Sequence, residues 1–284
     1  MRSVLGLSVV GLIMGACAVT AKADLLHRYD FSADGSDSVG SASGTLVGSA
    51  TVTGGALVTN GGNGTVDGKW GGAGPMMTLD PSAVAGITGA FTIEDWFSAT
   101  TGWPKYDTLY AFSDTTNANY ILGAPVRGYS PWPSGVGLIG GGGTTRANAG
   151  VWDYVLSGIY LDTPGPHQTV LTYDGTTFSY YVDGALANFS GLSATLVDPG
   201  FNLSTLTAIG INGGSPYDDP SLTGSTYDFR IYGGALSADQ VASLDSLGSD
   251  ASNAAIGQIV TPEPASLGIL AVGASALISR RRRV

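Results

Sequence analysis

The stretch TVLTYDGTTFSYYVDG, Thr169 to Gly184, limits the choice of fold more than any other part of the chain. Two runs rich in β-branched and aromatic residues flank Asp174-Gly175. That pair supplies the positive-φ positions of a type I′ turn, so the stretch predicts a β-hairpin. In the second run Phe178, Tyr180 and Val182 face one way, as a period of two requires. Asp183-Gly184 then marks the next turn. The same pattern recurs along the chain. LLHRYDFS (Leu25 to Ser32) runs into the turn-prone ADGSDSVGSASG, and TLVGSATVTGGALVTNGG gives short β-rich runs punctuated by glycine. FTIEDWF alternates, with Phe91, Ile93 and Phe97 on one face and Thr92, Glu94 and Trp96 on the other. TLTAIGI and STYDFRIY read as two further strands.

Helix signals are scarce. SADQVASLDSL is the one persuasive case: Ser237 and Gln240 form a capping box, and Val241 and Leu244 give an apolar edge. Only 12% of the residues are charged, against about 25% in an average domain, and 44 of 284 are glycine. That excludes an amphipathic helical protein. The 43% apolar content is ample for a core. The expected class is therefore all-β. Thr100 to Tyr160 holds Trp103, Trp132 and Trp152 among Gly and Pro, and reads as central strands with long loops. The glycine run Gly140 to Gly143 is expected at a loop tip. It precedes neither a helix nor a Lys-Ser/Thr pair, so it is not a phosphate loop.

Both ends differ from this body. Residues 1–23 carry Arg2, an apolar run from Val4 to Val19, and Ala21-Lys22-Ala23. These are the three parts of a secretory signal peptide, with cleavage expected after Ala23. The single cysteine, Cys17, falls within it. At the other end, residues 262–284 begin with Pro262-Glu263-Pro264. The mostly apolar Ala265 to Ser279 and the cluster Arg280, Arg281, Arg282 and Arg283 follow. Fifteen helical residues rise roughly 22 Å, short of the ~30 Å hydrocarbon layer. The arginines would hold that end on the cytoplasmic side. This arrangement resembles the PEP-CTERM sorting tail of exported bacterial proteins. The resemblance implies a short transmembrane sorting helix recognised by a membrane-embedded exosortase, and delivery to the envelope surface or the extracellular polysaccharide. Residues 248–261 read as a small-residue linker to that tail.

Between the signals, six basic residues (Arg28, Lys69, Lys105, Arg127, Arg146, Arg230) face twenty aspartates and Glu94, a net charge of −15. Such a surface repels nucleic acid and anionic lipid.

Four motifs then organise residues 24–247. His27-Arg28-Tyr29-Asp30-Phe31 with Asp37-Ser38-Val39-Gly40 opens the segment, and Phe91-Thr92-Ile93-Glu94-Asp95-Trp96 follows. The Tyr173-Asp174-Gly175 to Val182-Asp183-Gly184 hairpin comes next. The segment closes on Leu222-Thr223-Gly224, Tyr227-Asp228-Phe229-Arg230-Ile231-Tyr232, Ala235-Leu236-Ser237 and Gln240-Val241. In this order they resemble the laminin-G-like, or concanavalin A-like, domains. The resemblance implies a two-sheet jelly-roll sandwich. Where the family usually has a Trp before the hairpin's first strand, this chain has Pro164 to Gln168.

The fold implied hosts both lectins and glycoside hydrolases. Retaining hydrolysis needs two carboxylates about 5–5.5 Å apart. The chain has two glutamates, Glu94 and Glu263, and the second belongs to the tail. Asp95, next to Glu94, points to the opposite face of a regular strand. Glu94 therefore reads as a structural strand residue, and no catalytic residue is assigned. His27 and His167 show no zinc-ligand or base pattern. Trp96, Trp103 and Trp132 are candidate sugar-stacking platforms, with core packing as the alternative for each. Calcium is the one cofactor the loops could suit, at Asp218 and Asp219 or at Asp30, Asp34 and Asp37. Aspartate is equally the natural turn residue. The expectation is an exported, non-enzymatic protein binding a glycan or another envelope component. A divergent hydrolase or lyase, and a purely structural surface-layer protein, stand as alternatives.

Overall fold

A computed structural model describes residues 22–61, 74–100, 107–114, 119–124, 137–141, 153–156, 165–187, 195–214 and 219–261. Alternating apolar residues and short turns fold these segments into two antiparallel sheets. The nine-stranded sheet contains β1 (Asp24–Tyr29), β3 (Thr51–Thr53), β4 (Ala56–Asn60), β6 (Phe91–Ala99), β11 (His167–Tyr173), β12 (Thr177–Val182), β13 (Ala185–Leu186), β14 (Thr195–Val197) and β16 (Thr223–Gly233). Its main path runs β13-β12-β11-β6-β16-β4-β3, with β1 paired to β16 and β14 to β12. The seven-stranded sheet contains β2 (Gly44–Val47), β5 (Met76–Leu79), β7 (Tyr110–Ser113), β8 (Tyr120–Ala124), β9 (Gly137–Gly141), β10 (Asp153–Leu156) and β15 (Ala208–Ile211). Its order is β10-β9-β8-β7-β15-β5-β2. This is the expected two-sheet jelly-roll sandwich.

The core lies between the sheets, because alternate residues of facing strands are apolar. Phe91, Ile93 and Phe97 of β6, Leu171 and Tyr173 of β11, and Phe229 and Ile231 of β16 form one wall. Tyr110 and Phe112 of β7, Ile121 of β8, and Ile209 and Ile211 of β15 form the other. The walls interlock where Tyr110 and Phe112 bring their rings to within 5.7 and 6.4 Å of the Phe229 ring. Asn212, at φ 61 just past β15, ties the sheets together. Its buried amide donates to the Leu57 carbonyl at 3.4 Å and accepts from the Thr226 hydroxyl at 2.7 Å.

Helix α1 (Ala238–Leu247) starts at the expected capping box, with Ser237 and Gln240 reciprocally bonded. Three expectations need correction. The 248–261 segment is not a simple linker: Asn253–Val260 forms helix α2, capped by Ser252, and Ile256 and Val260 are buried beside Val241 and Leu244 of α1. The glycine run is not wholly a loop tip, since Gly140 and Gly141 lie within β9 and pair with β8. In the Asp174-Gly175 hairpin only Gly175 has positive φ (99°), whereas both Asp183 (46°) and Gly184 (73°) do. The type I′ geometry therefore belongs to the second turn. At the first, the Asp174 carboxylate accepts from the N–H groups of Thr176 and Thr177, and the two-residue turn is centred one position later.

Candidate functional site

Two of the four motifs, on β6 and β16, meet on the outer face of the nine-stranded sheet. Alternation puts Thr92, Glu94 and Trp96 there from β6, and Asp228, Arg230 and Tyr232 from β16. Antiparallel register then sets Arg230 beside Glu94, Asp228 beside Trp96, and Gln168 of β11 on Trp96's other side. Glu94 Oε1 accepts from Arg230 Nη1 at 2.9 Å, Trp96 Nε1 at 2.8 Å and Gln168 Nε2 at 2.8 Å. Its Oε2 accepts from the Tyr232 hydroxyl. Asp228 takes Arg28 Nη2 at 2.8 Å and Arg230 Nε at 2.9 Å. Glu94, Asp228 and Arg230 are all 0% exposed.

The roof over this layer is the helical C-terminal part of the body. Arg28 Nη1 donates to Asn253 Oδ1 at 2.7 Å, and Arg28 and Arg230 each donate to the Ser249 carbonyl at 3.2 Å. Val170, Tyr181, Tyr232 and Leu236 pack under Val241, Leu244, Ile256 and Val260. Burial alone would favour loss of the Arg230 proton, but Glu94 and then Asp228 outweigh it and hold the guanidinium firmly charged. Two arginines thus balance two carboxylates. The arrangement can fasten α1 and α2 to the sheet, but it offers substrate no open carboxylate.

Trp96 is therefore a packed donor to Glu94, at 5% exposure, rather than an exposed stacking platform. Trp103, Trp132 and Asp218 lie outside the described residues, as do Pro262, Glu263, Pro264 and Arg280 to Arg283. Asp30 Oδ1 accepts from the Ser32 N–H at 3.1 Å, and Asp34 Oδ1 from the Ser36 N–H at 2.8 Å, each closing a local turn. Asp37 accepts from the N–H groups of Arg28, Val39, Gly40 and Ala42. These three aspartates do not converge. No group of three or more His, Cys, Asp or Glu suited to a metal ion occurs among the described residues, which include Asp219. Nor is any described helix long and apolar enough to cross a membrane.

Sequence reasoning missed two buried carboxylates. Asp95 faces the sandwich interior, between Thr169 and Phe229. Asp107 sits at the rim beside β16, where its Oδ2 accepts from the Thr223 N–H at 3.0 Å and its Oδ1 has no partner. Burial pushes Asp107 up to about 6, against the hydrogen bond from Thr223. A raised folded value means the protonated acid is favoured in the folded state. The stability this contributes is full below about 4, the ordinary aspartate value, and is lost as pH rises through about 6. Asp107→Asn keeps the acceptor and removes the charge. It is expected to raise the midpoint of thermal unfolding by a few degrees at pH 7.5 and to leave it unchanged at pH 4. Equal shifts at both pH values would show that Asp107 does not titrate between them.

On the outer face of the seven-stranded sheet, β7 and β8 present Ala111, Tyr120 and Leu122, a small apolar patch that is also buried.

Solved structures share this architecture. Domain 4 of a GH43 extracellular arabinanase from Geobacillus stearothermophilus, in complex with arabinotriose, aligns with TM-score 0.57 and 20% identity. The alignment covers 79% of this chain and 99% of that one. A structure of botulinum neurotoxin type C, whose cell entry depends on interaction with two ganglioside molecules, aligns with TM-score 0.53 and 13% identity over 79% of this chain and 51% of that one. The binding domain of botulinum neurotoxin DC in complex with SialylT gives 0.50 and 12%, over 74% and 47%. The chain thus spans about half the length of the neurotoxin structures. At these identities the likeness is one of fold. No curated protein matches the sequence. The family described as the concanavalin A-like lectin/glucanases superfamily matches residues 71–242, well over half of the chain. The paired sheets agree with that match, three of the four motifs fall within it, and the chain belongs to the concanavalin A-like lectin/glucanases superfamily.

Proposed function

We propose that this protein is exported and sorted to the cell envelope or extracellular matrix, and that there it binds a glycan or another envelope component without cleaving it. The export part rests on the residue pattern of 1–23 and 262–284, with an exosortase-type enzyme as the sorting partner. The observation that carries the absence of cleavage is the burial of the three carboxylates on the central motif strands β6 and β16. Glycoside hydrolysis needs an acid and a nucleophile or base flanking an accessible bond. Glu94 is 0% exposed with both oxygens taken, Asp228 is 0% exposed between two arginines, and Asp95 is 0% exposed within the sandwich. None of the three can meet a sugar. The same two-sheet architecture holds arabinotriose in the arabinanase domain, which makes neutral oligosaccharides the first ligands to try. They also suit a chain body with a net charge of −15, which would repel anionic polymers.

The test is a glycan array together with a reducing-sugar release assay, using the full-length chain. Binding to a defined set of glycans with no released sugar is the expected result. Release of sugar would replace this reading with that of a divergent hydrolase or lyase. Failure to bind any glycan or polysaccharide would leave a structural surface-layer role. For export, periplasmic or extracellular recovery of the chain is expected, and a cytoplasmic location would overturn it.

A further inference from the structure

Asp95 is a buried acid with no partner of its own. It lies on β6 between Phe229 of β16 and Thr169 of β11, facing the seven-stranded sheet. Tyr110 lies near it on that opposite sheet, its ring centroid 5.7 Å from that of Phe229, the cross-strand neighbour of Asp95. Tyr180 of β12 projects from two residue pairs further along, opposite Leu171. The four side chains are electrostatic neighbours: Asp95 acts on both phenols, Tyr110 acts on Tyr180, and Thr169 stands at the Tyr180 hydroxyl. Each is at most 1% exposed. Yet among the described residues Asp95 Oδ1 and Oδ2, Thr169 Oγ1, Tyr110 Oη and Tyr180 Oη complete no hydrogen bond of normal length, the approach of Thr169 to the Tyr180 hydroxyl being the nearest to one. Five buried oxygens on four converging side chains are the reverse of the usual rule that buried polar groups find partners.

We propose that Asp95, Thr169, Tyr110 and Tyr180 form a site between the two sheets for one monovalent alkali cation. All the donors are hard oxygens, the type that binds alkali and alkaline-earth cations and not zinc or copper. Charge balance selects the valence. Across the sheet, Glu94 and Asp228 are neutralised by Arg28 and Arg230, so the layer sums to zero. Asp95 adds a single negative charge, and among the described residues the charges acting on it are those of Asp228 and Glu94, both repulsive. The imidazole further along β11, His167, is bonded to Asp183. One positive charge restores neutrality, whereas a divalent ion would leave a buried excess. A carboxylate in a low-dielectric interior needs such a partner or must take up a proton. Burial, reinforced by Asp228 and Glu94, does push Asp95 well above the ordinary carboxyl range, so a proton is the competing occupant.

The experiment is thermal unfolding of the full-length chain at pH 7.5 in choline chloride of fixed ionic strength, with choline replaced stepwise by Li+, Na+ or K+. If an alkali cation binds, the unfolding midpoint rises by a few degrees per tenfold increase above its Kd, tenfold being about 1.4 kcal/mol of linkage. Asp95→Asn and Tyr110→Phe abolish that dependence. Asp95→Asn removes an uncompensated charge, so it is expected to fold and to be more stable than wild type in choline alone. Elemental analysis after desalting gives about one alkali ion per wild-type chain and none for Asp95→Asn. A midpoint indifferent to cation identity would overturn the proposal in favour of a protonated Asp95. Stabilisation by Ca2+ alone, lost in Asp95→Asn, would overturn the choice of valence.

Discussion

Replacing Arg230 by alanine is expected to destabilise the protein by about 3–5 kcal/mol, the usual cost of removing one partner from a buried ion pair. For a body of this size that lowers the thermal midpoint by roughly 10 °C or more. Arg230 is the central cation of the outer layer. Its Nη1 serves Glu94 at 2.9 Å, its Nε serves Asp228 at 2.9 Å, and its Nη2 reaches the Ser249 carbonyl at 3.2 Å. Without it, two carboxylates at 0% exposure share the single charge of Arg28. Arg230→Lys should recover only part of the loss, because an ammonium cannot present the planar fork these acceptors require. The Glu94→Ala/Arg230→Ala double variant should be less destabilised than the sum of the single ones, since the second change removes an orphaned charge. Strict additivity in a double-mutant cycle would mean the two side chains do not act together. Because the same guanidinium holds the α1–α2 connection, Arg230→Ala should also increase amide exchange across Asn253–Val260. Unchanged protection there would separate the ion network from the roof.

The sandwich was legible because its signals are local. Alternation in Phe91 to Phe97 and in Phe178 to Val182 fixes which residues face the core, and those residues do line it. The capping box at Ser237 names a helix start from two residues three apart. What spacing could not supply is register across long separations. Asp228, Arg230 and Tyr232 alternate on β16 just as Thr92, Glu94 and Trp96 do on β6. Nothing local says that Arg230 lands opposite Glu94, 136 residues away. The meaning of Glu94 depends on that pairing, so the sequence could identify it as a strand residue but not as an ion-pair partner. Asp95 was hidden for a related reason. The alternation correctly turned it away from Glu94 and onto the face of Phe91, Ile93 and Phe97, but only the fold shows that no cation among the described residues meets it there. Helix α2 escaped notice because Asn253 to Val260 is only eight residues long and carries Gly257 in its interior. Its helicity comes from docking on α1 and β1, where Ile256 and Val260 find their contacts.

Asp37→Ala should cost about 3–4 kcal/mol at pH 7, from the charged hydrogen bonds it deletes. This carboxylate is the hub of the Asp37-Ser38-Val39-Gly40 motif. Its Oδ1 accepts from the N–H groups of Arg28 at 3.1 Å, Val39 at 3.1 Å and Gly40 at 2.8 Å. Its Oδ2 meets His27 Nδ1 at 2.6 Å and the Ala42 N–H at 3.1 Å. The side chain itself is 0% exposed. Gly40 is required by the same packing: a Cβ there would lie 2.5 Å from His27 Nδ1 and 2.6 Å from Asp37 Oδ2. Partial burial pushes the Asp37 acid up, but the His27 contact and the backbone donors more than offset it and hold the acid below the ordinary value. The sign for a depressed acid follows from proton linkage. Its contribution is complete above the unfolded value of about 4 and is lost as pH falls through the folded one. Urea unfolding of wild type and Asp37→Ala should therefore differ most between pH 5 and 7, and the two should converge as the medium is made strongly acidic. Asp37→Asn should fall between them, because an amide can still accept at one atom but turns its own N–H groups toward the remaining donors. If the gap between wild type and Asp37→Ala stayed constant into strong acid, shape and not charge would be what the aspartate contributes, and the motif's acidity would need another explanation.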